Sequence, residues 1–136
     1  SLLNFINMRN SEYLNLFYVD AKKNIIELKK LLELLEKGNF NKNLLYNLFI
    51  NLNYLKGHSK GMGLRAIQSM TEVLCELLTE VIQGRLSFSV KVIYKELNSG
   101  ICTLEKLIEA LKTGEKIKYL VNKAHLGSIL TKEKAL

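Results

Sequence analysis

Proline and tryptophan are absent from the 136 residues, and cysteine occurs only twice. Without proline no helix has to stop at a missing backbone donor, so long uninterrupted helices are permitted between glycines. The two cysteines, Cys75 and Cys102, have no Cys or His neighbour at metal-ligand spacing, which removes the basis for a zinc site. No metal or cofactor is expected. Both lie in apolar stretches and read as small, reduced, buried hydrophobes, which points to a cytoplasmic protein. Uninterrupted apolar runs of membrane-spanning length are also missing, because Lys, Glu or Asn breaks every one. The opening "SLLNFINMRN" has neither a basic leading region nor a small-residue cleavage site and does not read as a signal peptide. Arginine is scarce: the net charge of +7 comes from 17 lysines and 3 arginines, dispersed from Lys22 to Lys134 among the lysines. Nucleic-acid recognition favours arginine forks and concentrated patches, so the charge points instead to attraction for an acidic protein surface.

What the chain does have is apolar residues at helical spacing. From Ser11, a candidate N-cap, the series Leu14, Phe17, Ala21, Ile25, Leu28, Leu32, Leu35 steps by threes and fours to a stop at Gly38. A second stripe, Leu44, Leu45, Leu48, Leu52 and Leu55, ends in the glycine-bearing "KGMG". A third runs from near Leu64 through Ile67, Met70, Leu74, Leu77 and Val81 to Gly84. The fourth starts at about Ser87 and continues through Val90, Ile93, Leu97, Ile101, Leu104, Ile108 and Leu111 to Gly114. No segment alternates with period two over a strand length. The expected fold is all-α: an antiparallel up-down-up-down four-helix bundle over 11–116, then a short fifth helix near 116–125 and a frayed tail in 117–136.

Rotation by about 100° per residue shows what the second helix displays. Its leucines occupy one arc, and Asn53 falls on the opposite side with Tyr46, Ile50, Gly57 and Lys60, while Phe49 and Lys56 flank it. Three apolar side chains on one outward face beside an amide and two lysines make a candidate docking surface.

The stretch "LFINLNYLKGHSKGMGL" resembles the acceptor helix of histidine-phosphotransfer (HPt) domains, above all the N-terminal phosphotransfer domain of CheA-type chemotaxis kinases, whose motif reads approximately "LFRxxHxLKGxxxxxGF". Leu48, Phe49, Leu55, Lys56, Gly57 and Gly63 match position by position. "SEYLNLFYVDAKKNIIELKKLLELLEKG" is similar to the family's first helix, "AIQSMTEVLCELLTEVIQGRL" to its third and "LNSGICTLEKLIEALKTGE" to its fourth. The resemblance implies that Lys56, assisted by Lys60, neutralises phosphoryl oxygens, that Gly57 leaves room for an incoming domain, and that the apolar patch docks a receiver (response-regulator) domain or a CheA-type kinase domain.

The chain departs from the motif at Ile50, Leu64 and, with chemical consequence, Asn53, which stands where the acceptor histidine belongs. An amide nitrogen delocalises its lone pair into the carbonyl and cannot form a phosphoramidate. The expectation is a pseudo-phosphotransfer domain of two-component signalling, a binding module and not an enzyme, with Tyr46, Phe49, Ile50, Asn53, Lys56, Gly57 and Lys60 at the partner surface. Two alternatives stand beside it. One is an active phosphotransfer domain that uses His58, or whose native acceptor histidine has been replaced by Asn53. The other is a purely structural bundle, with homodimerisation left open. His58 lies about 140° around the helix from Asn53 and about 7.5 Å along it, away from the patch, and the ordinary reading is a polar residue near a helix end.

Overall fold

The computed structural model describes residues 2–87 and 89–113, with residues 3–10 and 113 as backbone alone. These form four helices, α1 (Leu2–Glu36), α2 (Lys42–Gly61), α3 (Arg65–Ile82) and α4 (Val90–Thr113), and no strand is present among the described residues. The fifth helix expected near 116–125, the tail and Gly114 lie outside them.

Each helix packs against two neighbours around a ring, α1 on α2, α2 on α3, α3 on α4 and α4 back on α1, while the diagonal pairs make no close backbone approach. Short connections force antiparallel neighbours, so the chain runs up, down, up and down. All four expected stripes converge on one core, where Phe17, Leu28, Leu48, Leu52, Leu55, Met70, Leu74, Leu97, Ile101, Leu104 and Ile108 are completely buried.

The helix ends follow from local chemistry. Gly63 takes φ +71, where a side chain would be strained, and lets Gly63 N–H donate to the Lys60 carbonyl while Leu64 N–H donates to that of Ser59. This Schellman arrangement satisfies carbonyls that the end of α2 would otherwise leave open. Leu64 then packs on the core as the residue that precedes α3, so residues 62–64 make a three-residue reversal between two antiparallel helices. Gly38 and Gly84 close α1 and α3 in the same way. Asn41 caps α2 by accepting from Leu44 N–H at 2.8 Å, and Ser89 caps α4 by accepting from Val92 N–H at 3.2 Å.

Ser11 is not an N-cap. It lies inside α1, which begins nine residues earlier at Leu2. A serine costs a helix interior only a few tenths of a kcal/mol, roughly, and no glycine or proline precedes Gly38 to break the helix.

Polar links tie α1 to α4. The Glu109 carboxylate accepts from Lys22 Nζ and from the Tyr18 hydroxyl at 2.9 Å, and Lys29 donates to Glu105 at 2.6 Å. The Lys22 bond, then that from Tyr18, holds the Glu109 carboxyl below its ordinary range. These groups are half-exposed and screened by solvent, so the network aligns the two helices more than it stabilises them.

Cys75 is buried, and burial pushes its thiol from 9.0 up to about 11. The native state therefore keeps a proton that the unfolded chain releases, and this contribution to stability is lost as pH rises from about 9 toward about 11. At pH 8, iodoacetamide is expected to modify the half-buried Cys102 well before Cys75, with the two becoming equivalent in denaturant; peptide mass mapping reads the order.

Candidate functional site

α2 presents two faces of opposite character. Inward lie Leu44, Leu45, Leu48, Leu52 and Leu55 together with Ser59, whose hydroxyl donates to the Lys56 carbonyl at 2.9 Å. Outward lie Tyr46, Ile50, Asn53, Gly57 and Lys60, all exposed, with Phe49 and Lys56 half-buried at the margin. The seven residues expected at a partner surface thus run along one helix face over about 21 Å. Ile50, at 60% exposure, is a large aliphatic side chain left in water one turn from Asn53.

The patch continues onto α3. Tyr46 and Phe49 form one wall of a shallow groove whose other wall is Thr79, Ile82 and Gln83. Reading α2 in isolation misses those three residues, because the contribution of α3 depends on how the two helices are set side by side.

Lys56 sits on the α3 side of the face, close enough for its charge to oppose part of the rise in the Cys75 thiol. The electrostatics of α2 set it apart from the rest of the bundle. It is the one helix of the four with no Asp or Glu, and the chain has none from Lys37 to Thr71. The other helices mix both signs. On α2, Lys42, Lys56 and Lys60 have no carboxylate within their own helix to offset them.

Gly57 is informative for a different reason. It lies in mid-helix with ordinary backbone angles, and a Cβ built there would meet nothing within 4 Å. A glycine in a helix interior costs about 1 kcal/mol relative to alanine. Nothing inside the bundle requires the missing side chain. The open space above Gly57 is on the outward face, beside Asn53 and Lys56.

His58 points elsewhere. Its ring is half-buried against α1, 4.8 Å from the Phe17 ring and 5.8 Å from that of Tyr54, both edge-on. Nδ1 is buried without a hydrogen-bond partner and stands 3.9 Å from Asp20 Oδ2, beyond hydrogen-bonding length. The same carboxylate accepts from the Tyr54 hydroxyl at 2.9 Å, a bond that makes Tyr54 hold its proton more tightly than usual. Asp20, Tyr54 and His58 form a small polar cluster in the α1–α2 seam. Tyr54 was legible as the residue one turn before His58 on the same side of α2, whereas Asp20 comes from α1 and only packing brings it there. His58 is not among the side chains that surround Asn53.

No group of three or more metal-binding side chains occurs among the described residues, and no helix there is long and apolar enough to cross a membrane. No protein-family model matches the chain, and no curated protein matches it.

Proposed function

We propose that this chain is a pseudo-histidine-phosphotransfer domain: a four-helix module of two-component or chemotaxis signalling that docks an acidic-faced receiver domain, or a CheA-type kinase domain, without carrying phosphate. The observation that carries the reading is the outward face of α2, where Ile50, Asn53, Lys56, Gly57 and Lys60 stand exposed or half-exposed on the one helix of the four described that lacks acidic residues. The resemblance of "LFINLNYLKGHSKGMGL" to the phosphotransfer motif supplies the partner class. Asn53 removes the nucleophile while leaving the contact surface.

The physics of such contact divides between charge and burial. The lysines steer encounter with a carboxylate cluster, and the apolar centre of the patch supplies most of the lasting affinity. Gly57 lets the partner's backbone approach the helix. The reading also accounts for a residue that the bundle by itself leaves unexplained.

Titration of a cognate receiver domain, followed by calorimetry or fluorescence anisotropy, tests this. Binding is expected in roughly the micromolar range and to weaken with salt. Ile50→Asp is expected to abolish it by burying a charge at the centre of the contact, and Lys56→Glu to weaken it mainly at low salt. Gly57→Ala is expected to do two opposite things. It should stabilise the bundle by roughly 0.5–1 kcal/mol in thermal unfolding and yet weaken docking. Unchanged binding by both Ile50→Asp and Gly57→Ala would remove this face as the docking surface.

A further inference from the structure

The face of α1 turned away from the core carries a second periodic pattern. Residues 12, 16, 19, 23, 26, 30 and 33 alternate steps of four and three, the spacing of a coiled-coil seam, and all seven are exposed. They are Glu12, Leu16, Val19, Lys23, Ile26, Lys30 and Glu33. Leu16, Val19 and Ile26 are 64%, 46% and 53% exposed, so the helix leaves three large aliphatic side chains in water along one line. The core stripe of the same helix, Phe17, Ala21, Ile25, Leu28 and Leu32, is buried on the opposite side. Core packing therefore cannot be what the outer stripe serves.

The order of residue types along the stripe identifies its partner. In an antiparallel pair of identical helices, residues opposite each other have numbers with a constant sum. With the sum at 42, Leu16 meets Ile26 of the second copy, Val19 meets Lys23, and Glu12 meets Lys30. Symmetry makes each of these contacts twice. Apolar stands against apolar, carboxylate against ammonium, and the four-carbon stem of Lys23 lies over Val19 while its charge reaches water. Sliding by one heptad to a sum of 49 sets Leu16 against Glu33 and Ile26 against Lys23, whereas a sum of 35 keeps Leu16 against Val19 and Glu12 against Lys23 but takes Ile26 off the described stripe. A parallel pair would place Glu12 on Glu12, Lys23 on Lys23 and Lys30 on Lys30. Self-complementarity is thus confined to the antiparallel orientation, and the register with the sum at 42 is the one that covers Leu16, Val19 and Ile26 together within the described stripe with none of them against a carboxylate.

We propose that the outer face of α1 is a self-association surface, through which two copies of this chain pair as an antiparallel two-helix seam centred near residue 21. α1 is already a folded helix within its bundle, so pairing costs no helix nucleation, only docking. The surface is separate from the α2 face and leaves it free. A dimer would present two such faces to a partner.

Sedimentation equilibrium on the full chain is the test. The apparent mass is expected to rise from 15.6 kDa toward twice that value, with a dissociation constant of roughly micromolar to tens of micromolar. Leu16→Lys, at an exposed position where folding is not at stake, is expected to weaken association by about tenfold or more. Glu12→Lys and Lys30→Glu should each weaken it, and the double variant should restore it. Orientation is read by oxidative cross-linking. Leu16→Cys mixed with Ile26→Cys should give a hetero-disulfide, whereas either variant alone should not, because identical positions lie about 15 Å apart along the seam. The unsubstituted chain, with only Cys75 and Cys102, is the control. A chain that stays monomeric to several hundred micromolar leaves the stripe to some other helix and overturns the proposal. So does a Leu16→Lys variant that associates as well as the parent, or a Leu16→Cys chain that cross-links to itself.

Discussion

Incubated with ATP and a CheA-type kinase, the unsubstituted chain is expected to take up no acid-labile phosphate, and the Asn53→His variant is expected to take it up. The effect is a change from none to a clear signal on an autoradiograph, larger than any adjustment of affinity. Its basis is the chemistry of one position. Asn53 is exposed in mid-helix, so an imidazole placed there would stand in water with a nitrogen lone pair available near neutral pH. Lys56 is one turn away to neutralise phosphoryl oxygens, and Gly57 leaves the approach open. The amide supplies none of this, because its nitrogen is not basic.

His58 provides the control. With Nδ1 buried beside Asp20 and the ring set against Phe17, it lies in the α1–α2 seam, apart from the lysines and from Ile50. His58→Gln is expected to leave the labelling of the Asn53→His variant intact. Label on the unsubstituted chain that disappeared with His58→Gln would refute the pseudo-domain reading and transfer the acceptor role to His58.

The largest coupling expected within the fold lies between Gly100 and Leu74. Gly100 is in the interior of α4, and a Cβ built on it would lie 2.6 Å from Leu74 Cδ2 and 2.9 Å from Cδ1 on α3. Leu74 is completely buried in the core, so its methyl groups can make way only by shifting among packed neighbours. Gly100→Ala gains about 1 kcal/mol in helix propensity and loses about 2 kcal/mol to overpacking, for a net destabilisation of about 1 kcal/mol. Leu74→Ala alone costs roughly 2–5 kcal/mol through lost burial and a cavity. In that background the obstruction is gone, and Gly100→Ala should become stabilising by about 1 kcal/mol. The reversal of sign, measured by urea unfolding of the four chains, corresponds to a coupling of about 2 kcal/mol. Additive effects would show that α3 and α4 do not depend on the missing side chain at Gly100.

Gly100 also illustrates where reading the sequence alone stops. The fourth stripe steps past it from Leu97 to Ile101 at unbroken helical spacing, and nothing in that pattern marks the residue. That it admits Leu74 depends on the offset between α3 and α4, which neither helix encodes separately. The cluster of Asp20, Tyr54 and His58 has the same origin, since it joins residues 34 positions apart through the level at which α1 crosses α2. The groove between Tyr46, Phe49 and Ile82 is a third case.

Helix phase, by contrast, is local. Each residue turns about 100° from the last, so five leucines on one arc of α2 place Asn53, Ile50 and Gly57 on the other whatever the helix packs against. For the same reason the stops at Gly38, Gly63 and Gly84 were legible: left-handed backbone angles select glycine before any tertiary contact forms. The start of α1 was not legible from Ser11, because a capping residue ends a helix only if the preceding segment has somewhere better to go, and residues 2–10 contain nothing that stops a helix. Among the described residues, the sequence by itself determined the four helices, the ends of the first three at glycines and the direction in which each side chain faces, because those follow from backbone geometry and one-dimensional patterning. Only the tertiary structure decided which residues of different helices meet, because axial offset and separation are set by how whole side-chain surfaces interlock.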